Sequence, residues 1–87
     1  FAIENLSPLI QSEYSPKDFR HFGDPIDYIV FDGLSELQKG DISELRDVVF
    51  LDIKTGSSKL NTVQRRVRDA INNGKVSFKV YNPDKES

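Results

Sequence analysis

The chain has 87 residues, 37% of them apolar and 30% charged, a balance typical of one small globular domain. It contains no cysteine, which excludes a disulfide framework, a thiol nucleophile and cysteine-ligated metal sites, and its single histidine excludes a multi-histidine site. The net charge of −2 conceals an asymmetry, because residues 53–68 carry five basic side chains and no acidic one. Such a segment can present a positive face to phosphate groups, although charge alone favours a solvated helix surface.

No apolar run approaches the roughly 18 residues that span a bilayer, and no signal-peptide pattern is present. We therefore expect a cytoplasmic location and no membrane contact from this segment, with an upstream anchor left open because the chain starts with phenylalanine. A chain of this length buries only about 60% of the surface that its unfolded form exposes, so a homodimer is a further hypothesis.

The first part of the chain predicts a helix followed by a hairpin. Residues 1–6 have helical spacing without a capping residue, and Pro8 follows, which predicts the last turns of a truncated helix. After a turn at Ser15, residues 18–22 alternate as in a strand. The turn residues at positions 23–25 then predict that the chain reverses into a hairpin.

The middle of the chain predicts two strands. Residues 26–33 give the clearer one, rich in β-branched and aromatic side chains, with Asp27 at its beginning. Residues 34–47 predict a solvated connection with a short helical turn near residues 43–46. The nearly continuous apolar run at residues 48–54 predicts a strand that is covered on both faces and ends in charge.

The last part predicts a helix and a strand. Asn61 and Gln64 form a capping-box pattern before an amphipathic helix that Gly74 closes. Residues 75–81 alternate again and predict a last strand, and residues 82–87 a frayed tail. The predicted order is α-β-β-β-α-β, an α/β fold with a four-stranded mixed sheet in one domain over residues 1–87.

A candidate site lies where the apolar run ends. Asp52 and Lys54 are two residues apart on a predicted strand, so their side chains project from the same face. The carboxylate can hold a divalent metal while the ammonium stabilises negative charge on a phosphate, a pairing suited to phosphodiester hydrolysis. Asp27 on the neighbouring strand is the natural second metal donor, and the backbone carbonyl of Ile53 is a third. For an isolated triplet, an exposed Asp–Lys contact of little energetic value is the simpler alternative.

Four stretches add a family resemblance: SPKDFR at residues 15–20, GDPIDYIVFDGL at 23–34, VFLDIKTG at 49–56 and QRRVRDAI at 64–71. Over residues 5–81 the chain resembles the endonucleases related to archaeal Holliday junction resolvases, a branch of the PD-(D/E)xK nuclease superfamily. The resemblance implies a restriction-endonuclease-like core. It also implies metal-dependent hydrolysis of DNA phosphodiester bonds with Mg²⁺ or Mn²⁺, in branched or damaged DNA during repair or recombination.

The resemblance also assigns roles to individual residues. Asp27 becomes the metal-binding aspartate, Asp52 and Lys54 the (D/E)xK pair, Gln64 the glutamine of the following helix, and Glu4 an acidic residue of the first helix. Relatives usually have glutamate at the position of Asp52, whose shorter side chain changes the ligand geometry.

The predicted metal ligands are thus Asp27, Asp52, the Ile53 carbonyl and Glu4. The predicted DNA-contacting residues are Lys59, Arg65, Arg66 and Arg68. Two other functions stay open at this point. One is a non-catalytic nucleic-acid-binding module that retains the nuclease fold, and the other is a dimerisation module of a larger protein.

Overall fold

The structure, a computed structural model, describes Ile10 and residues 13–85. Its strands are β1 (Phe19–His21), β2 (Tyr28–Asp32) and β3 (Asp47–Leu51), and its helices are α1 (Leu34–Lys39) and α2 (Thr62–Asn72), with 3-10 turns at Pro16–Asp18 and Pro83–Lys85. The strands form a three-stranded sheet in the order β1-β2-β3, and β2 pairs antiparallel with both neighbours. The protein is therefore a small α/β domain.

The predicted hairpin and the predicted capped helix are both confirmed. In the hairpin, Phe19 lies opposite Val30 and His21 opposite Tyr28. At the start of α2, the Asn61 side chain accepts a hydrogen bond from the Gln64 backbone while the Gln64 side chain accepts one from the Asn61 backbone. Each element forms where local sequence rules place it, because neither depends on distant residues for its turn or cap.

The core gathers around the middle of β2. Val30 is fully buried and Phe19 nearly so, and their side chains share one face of the sheet because the strands pair in that register. The rings of Tyr14 and Tyr28 meet Phe19 edge to face, with centroids 6.2 Å and 5.9 Å away. Burial is the main cause of a raised pKa at Tyr14. Ile26 is the other buried apolar residue of the described chain, so the core is small.

Asp18 is buried to 1% exposure beside this core and connects two elements. One carboxylate oxygen accepts the backbone N–H of Gly33 and the other accepts that of Ser35, both at 2.9 Å. These donors lie at the start of α1, whose N-cap, Gly33, has no side chain to accept them. The carboxylate therefore caps α1 from a distance and ties it to the start of β1.

In the connection between β2 and β3, which buries no residue as predicted, the position of the helical turn was predicted wrongly. The chain forms α1 there, and no helical turn occurs at residues 43–46. Gly33 and Gly40 bound α1, both with positive φ, and a Cβ at Gly33 would lie 2.9 Å from Ile42. Gly33 was predicted to end a strand and Gly40 to belong to the connection, whereas they are the two caps of a short helix.

Arg46 fixes the far end of this connection. Its guanidinium contacts the carboxylates of Asp32 and Glu36, and its backbone N–H donates to the Asp32 carbonyl at 2.9 Å. The side-chain hydrogen bond from Arg46 lowers the pKa of Glu36. The ends of β2 and α1 are thereby tied to the residue that precedes β3.

The sheet has three antiparallel strands in the described residues, where a four-stranded mixed sheet was predicted. Residues 75–81 join no strand ladder and follow a turn in which Gly74 has a φ of 77° and the N–H of Lys75 donates to the Ala70 carbonyl at 2.9 Å. As a result β3 is an edge strand. Its first residues are exposed, so the prediction of a strand covered on both faces was also wrong.

The predicted N-terminal helix at residues 1–6, with Glu4, lies outside the described residues, as do the last two residues of the predicted tail. Across the part of the chain that is described, no helix has both the length and the apolar character needed to cross a membrane.

The capping role of Asp18 is testable by substitution. Asp18→Ala should lower the free energy of unfolding by about 2–6 kcal/mol, because two N–H groups near the core lose their acceptor at about 1–3 kcal/mol each. Chemical denaturation followed by circular dichroism measures the change. The exposed Asp41→Ala serves as the matched control and should stay within about 0.5 kcal/mol of the unchanged chain. Equal stabilities for the two variants would contradict the assigned role.

Candidate functional site

The pairing of β2 with β3 brings the two predicted metal-binding aspartates together. Asp27 directly precedes β2 and Asp52 directly follows β3, and Tyr28 lies opposite Leu51 in the antiparallel register. Extending that register by one residue places Asp27 opposite Asp52. The backbone confirms the approach, because the N–H of Ile53 donates to Asp27 Oδ2 at 2.9 Å.

Asp52 and Lys54 form an ion pair beyond the end of β3. Lys54 Nζ lies 2.8 Å from Asp52 Oδ2, and the two side chains are 33% and 8% exposed. The predicted strand continued to residue 54, whereas β3 ends at Leu51, yet the two side chains still meet. Asp52 Oδ2 is buried, and its contact with the Lys54 ammonium is an ion pair whose angles are not those of a hydrogen bond.

All four predicted catalytic residues line one open cleft of about 660 Å³: Asp27, Asp52, Lys54 and Gln64. Residues 23–25 of the hairpin form part of its wall, and residues 61–63 at the start of α2 form another part. The structure thus collects side chains from three separate stretches of the sequence. Charged and polar groups surround a space that is accessible from outside.

Gln64 joins two walls of this cleft. Its Oε1 accepts the backbone N–H of Asn61 at 3.0 Å, which completes the capping box, and its Nε2 donates to the carbonyl of Pro25 at 2.8 Å. Gln64 is the most buried residue of α2. The predicted capping role is confirmed. The second hydrogen bond joins the start of α2 to Pro25, which lies two residues before Asp27.

The donor set of the cleft suits a hydrated Mg²⁺ ion. Mg²⁺ in proteins commonly binds one or two carboxylates and keeps several waters. Asp27 and Asp52 supply two carboxylates, and the buried oxygen of Asp52 accepts no hydrogen bond and contacts only the Lys54 ammonium among the described residues. Among the described residues, no three His, Cys, Asp or Glu side chains are grouped to hold a metal ion. The cleft therefore fits a water-rich metal site, and a closed cage of protein ligands does not form there.

The four predicted DNA-contacting residues do not share one surface. Arg65 donates to the Leu60 carbonyl and to Thr62, and Arg68 pairs with Asp69 at 3.0 Å. Arg68 lines a different groove, between α2 and β3.

Arg66 and Lys59 are exposed. Arg66 follows the cleft residues Thr62 and Val63 by four and three positions, which places it on their side of the helix. Arg66 thus lies on the side of α2 that carries Thr62 and Val63, whereas Arg68 follows Gln64 by four positions and lines the groove between α2 and β3.

Sequence reasoning missed Asp24 and Asn61 as cleft residues. Asp24 was interpreted only as a turn residue, although its position three residues before Asp27 was a usable signal. Asn61 was interpreted only as a helix cap. Asn61 lines the cleft because the start of α2 faces it, and the sequence does not show which part of the protein a helix start faces.

Comparison with known protein families gives a match over residues 2–83, to the family described as endonuclease related to archaeal Holliday junction resolvase. Searches of curated proteins and of solved structures gave no significant match. The family match spans nearly the whole chain, including every residue of the cleft. The chain therefore belongs to the family of endonucleases related to the archaeal Holliday junction resolvase.

Proposed function

We propose that this protein hydrolyses DNA phosphodiester bonds with a divalent cation, Mg²⁺ or Mn²⁺, and that its substrate is branched DNA. Family membership supports a nuclease that acts on DNA and points to the junction-like substrate. The observation that carries the proposal is the state of Asp52, whose buried oxygen contacts the Lys54 ammonium without a hydrogen bond.

A purely structural ion pair explains this arrangement poorly. Burying a carboxylate oxygen is unfavourable unless hydrogen bonds or a cation compensate for the lost water. At Asp18, the other buried carboxylate, both oxygens accept backbone N–H groups. Asp52 has no such backbone donors among the described residues, and the Lys54 ammonium is the one charged group in contact with it, so the carboxylate keeps lone pairs available for a metal ion.

The residues of the cleft would have the following roles. The metal would be held by Asp27, Asp52 and the Ile53 carbonyl, and when bound it supplies a Lewis acid and an activated water. The N–H of Ile53 keeps the Asp27 carboxylate turned toward Asp52. Lys54 stabilises negative charge that develops on the phosphate, while Gln64 holds the hairpin against α2 so that the cleft keeps its width.

The surroundings of the cleft favour a polyanionic substrate. Lys59 precedes α2, and Arg66 lies on the cleft side of that helix; both are exposed. Residues 53–68 carry a net charge of +5 in a chain whose total is −2, and Lys54 of this segment lines the cleft itself. A phosphodiester backbone entering the cleft would meet these side chains first.

The central test combines substrate, metal and variant. We expect cleavage of a four-way DNA junction in Mg²⁺ or Mn²⁺, with less cleavage of nicked or linear duplex and none in excess chelator. Asp52→Asn should reduce the rate at least about 100-fold, or about 2.7 kcal/mol in the barrier, because it removes a charged ligand without changing size.

Asp24→Asn is the matched control, since Asp24 lines the same cleft without contacting Lys54. It should retain most of the activity. Undiminished cleavage by Asp52→Asn, or full activity in chelator, would reject the site. DNA binding without cleavage under every metal condition would instead favour the non-catalytic binding module.

A second prediction separates chemistry from binding at Lys54. Lys54→Met should leave DNA affinity within a few-fold but lower the cleavage rate about 100-fold or more, because one preorganised charge in a site is typically worth about 2.7–4 kcal/mol in the transition state. Single-turnover kinetics and equilibrium binding measure the two effects on one sample. Lys59→Met, an exposed lysine with the same charge change, is the control. Equal losses of affinity and rate in Lys54→Met would make the lysine a phosphate anchor only.

A third prediction compares two arginines of α2. Arg66→Gln should weaken DNA binding and lower the slope of log affinity against log salt by about 0.9, the value for one lost contact with duplex phosphate. Arg68→Gln carries the same charge change, but Arg68 lines the other groove and pairs with Asp69, so its slope should not change. Fluorescence anisotropy at several salt concentrations gives both slopes. Identical slopes for the two variants would remove Arg66 from the DNA-binding surface.

A further inference from the structure

Phe22 lies on the same face of the sheet as the two carboxylates of the cleft. Its backbone N–H donates to the Asp27 carbonyl at 2.8 Å, which extends the pairing of β1 with β2 by one residue. The register of β2 with β3 sets Asp27 opposite Asp52 in the same way. The three residues therefore form one row across the strand ends. Opposed residues of a sheet project from one face, with Cβ atoms about 4.5–5.5 Å apart.

The ring of Phe22 is 53% exposed although it lies beside a charged site. The core is on the opposite face of the sheet, because Phe19 and Val30 are each three residues away from this row along their strands. Phe22 directly precedes Gly23, which lines the cleft. The ring thus forms an apolar surface at the rim of the cleft, next to Asp27.

A second exposed apolar side chain lies on another wall of the cleft. Val63, in the first turn of α2, lines the cleft and is 62% exposed. The carboxylates and the ammonium are therefore flanked by apolar groups on the hairpin and on the helix. A fully paired duplex keeps the faces of its bases inside the stack and offers no matching surface, whereas an unpaired base exposes one.

We propose that Phe22 is a stacking platform for one unpaired base of the DNA substrate, so that the cleft accepts a phosphodiester bond next to an unpaired nucleotide. Stacking on an aromatic ring tolerates any sequence, because every base has a π-face. A base on Phe22 brings the phosphate of its own nucleotide beside Asp27, the next residue of the row. The inference rests on the proposed function, because it names the form of DNA that the same site binds.

A cation near the ring favours a nucleotide over an apolar protein partner. Arg20 precedes Phe22 by two residues, so it projects from the same face, and it is exposed. Its guanidinium donates to the carbonyls of Lys17 and Phe19, both at 2.8 Å, which holds the charge beside β1. A nucleotide combines a flat base with a negative phosphate and suits both groups. An apolar protein surface would bury the guanidinium charge, which is unfavourable.

Equilibrium binding in excess chelator tests the platform without cleavage. The probes are a forked DNA with single-stranded arms and a fully paired duplex of the same length. Phe22→Leu keeps an apolar side chain but removes the ring. It should raise the dissociation constant for the fork at least about 5-fold and that for the duplex less than about 2-fold. Phe22→Tyr keeps the ring and is the matched control, which should bind both probes as the unchanged chain does. Circular dichroism checks that the variants keep their fold.

A tryptophan at the same position reports stacking directly. The chain contains no tryptophan, so Phe22→Trp introduces a single indole fluorophore. Stacking of a base on the indole should quench its emission when the fork is added, and the paired duplex should leave the emission unchanged. This signal does not depend on metal or on cleavage.

The outcomes separate the platform from the nuclease activity. Cleavage of branched DNA by the unchanged chain, together with full affinity of Phe22→Leu for the fork, would overturn the platform alone. A ring effect on fork binding without cleavage under any metal condition would support the platform and reject the nuclease. Equal losses of affinity for fork and duplex would make Phe22 a general DNA contact, and the inferred preference for an unpaired nucleotide would be wrong. Binding of neither probe by the unchanged chain would overturn both.

Discussion

The antiparallel pairing of β2 with β3 is the constraint on which both the fold and the site depend. The pair of Tyr28 and Leu51 at its end fixes where the chain enters one strand and leaves the other. Because a shift of one residue would turn every side chain to the opposite face, the register that buries Val30 also decides which carboxylates meet at the strand ends. Core packing and site geometry are therefore specified by the same ladder of hydrogen bonds.

Charged groups contribute to this structure in two different ways. Asp18 and Arg46 join elements that the small apolar core does not hold by itself, and each does so through several hydrogen bonds. Asp52 and Lys54 form an ion pair in which one buried oxygen of Asp52 accepts no hydrogen bond. The contrast between a fully bonded buried carboxylate and an incompletely bonded one distinguishes a structural group from a candidate functional group within one domain.

Much of the candidate site was predictable because its signals are local. Asp27 follows a turn, Asp52 and Lys54 interrupt an apolar run, and Asn61 with Gln64 forms a pattern of four residues. The wrong predictions concern segments whose structure depends on residues distant in the sequence. The helix α1 depends on an acceptor at Asp18, far away in the sequence, and residues 75–81 join no strand of the described sheet although their alternation predicts one. Alternation in a sequence shows that a segment can be a strand, but the available neighbour decides whether it becomes one.

The hydrogen bond from Gln64 to Pro25 has a consequence for the lifetime of the cleft. Gln64 belongs to the first turn of α2, and the first turn of a helix is the part that frays most readily. When that turn opens, the capping box and the link to the hairpin are lost in the same event, so the two walls separate together. The fraction of molecules with an intact cleft is then set by a local unfolding equilibrium. A ligand bound between the two walls would shift that equilibrium toward the ordered helix.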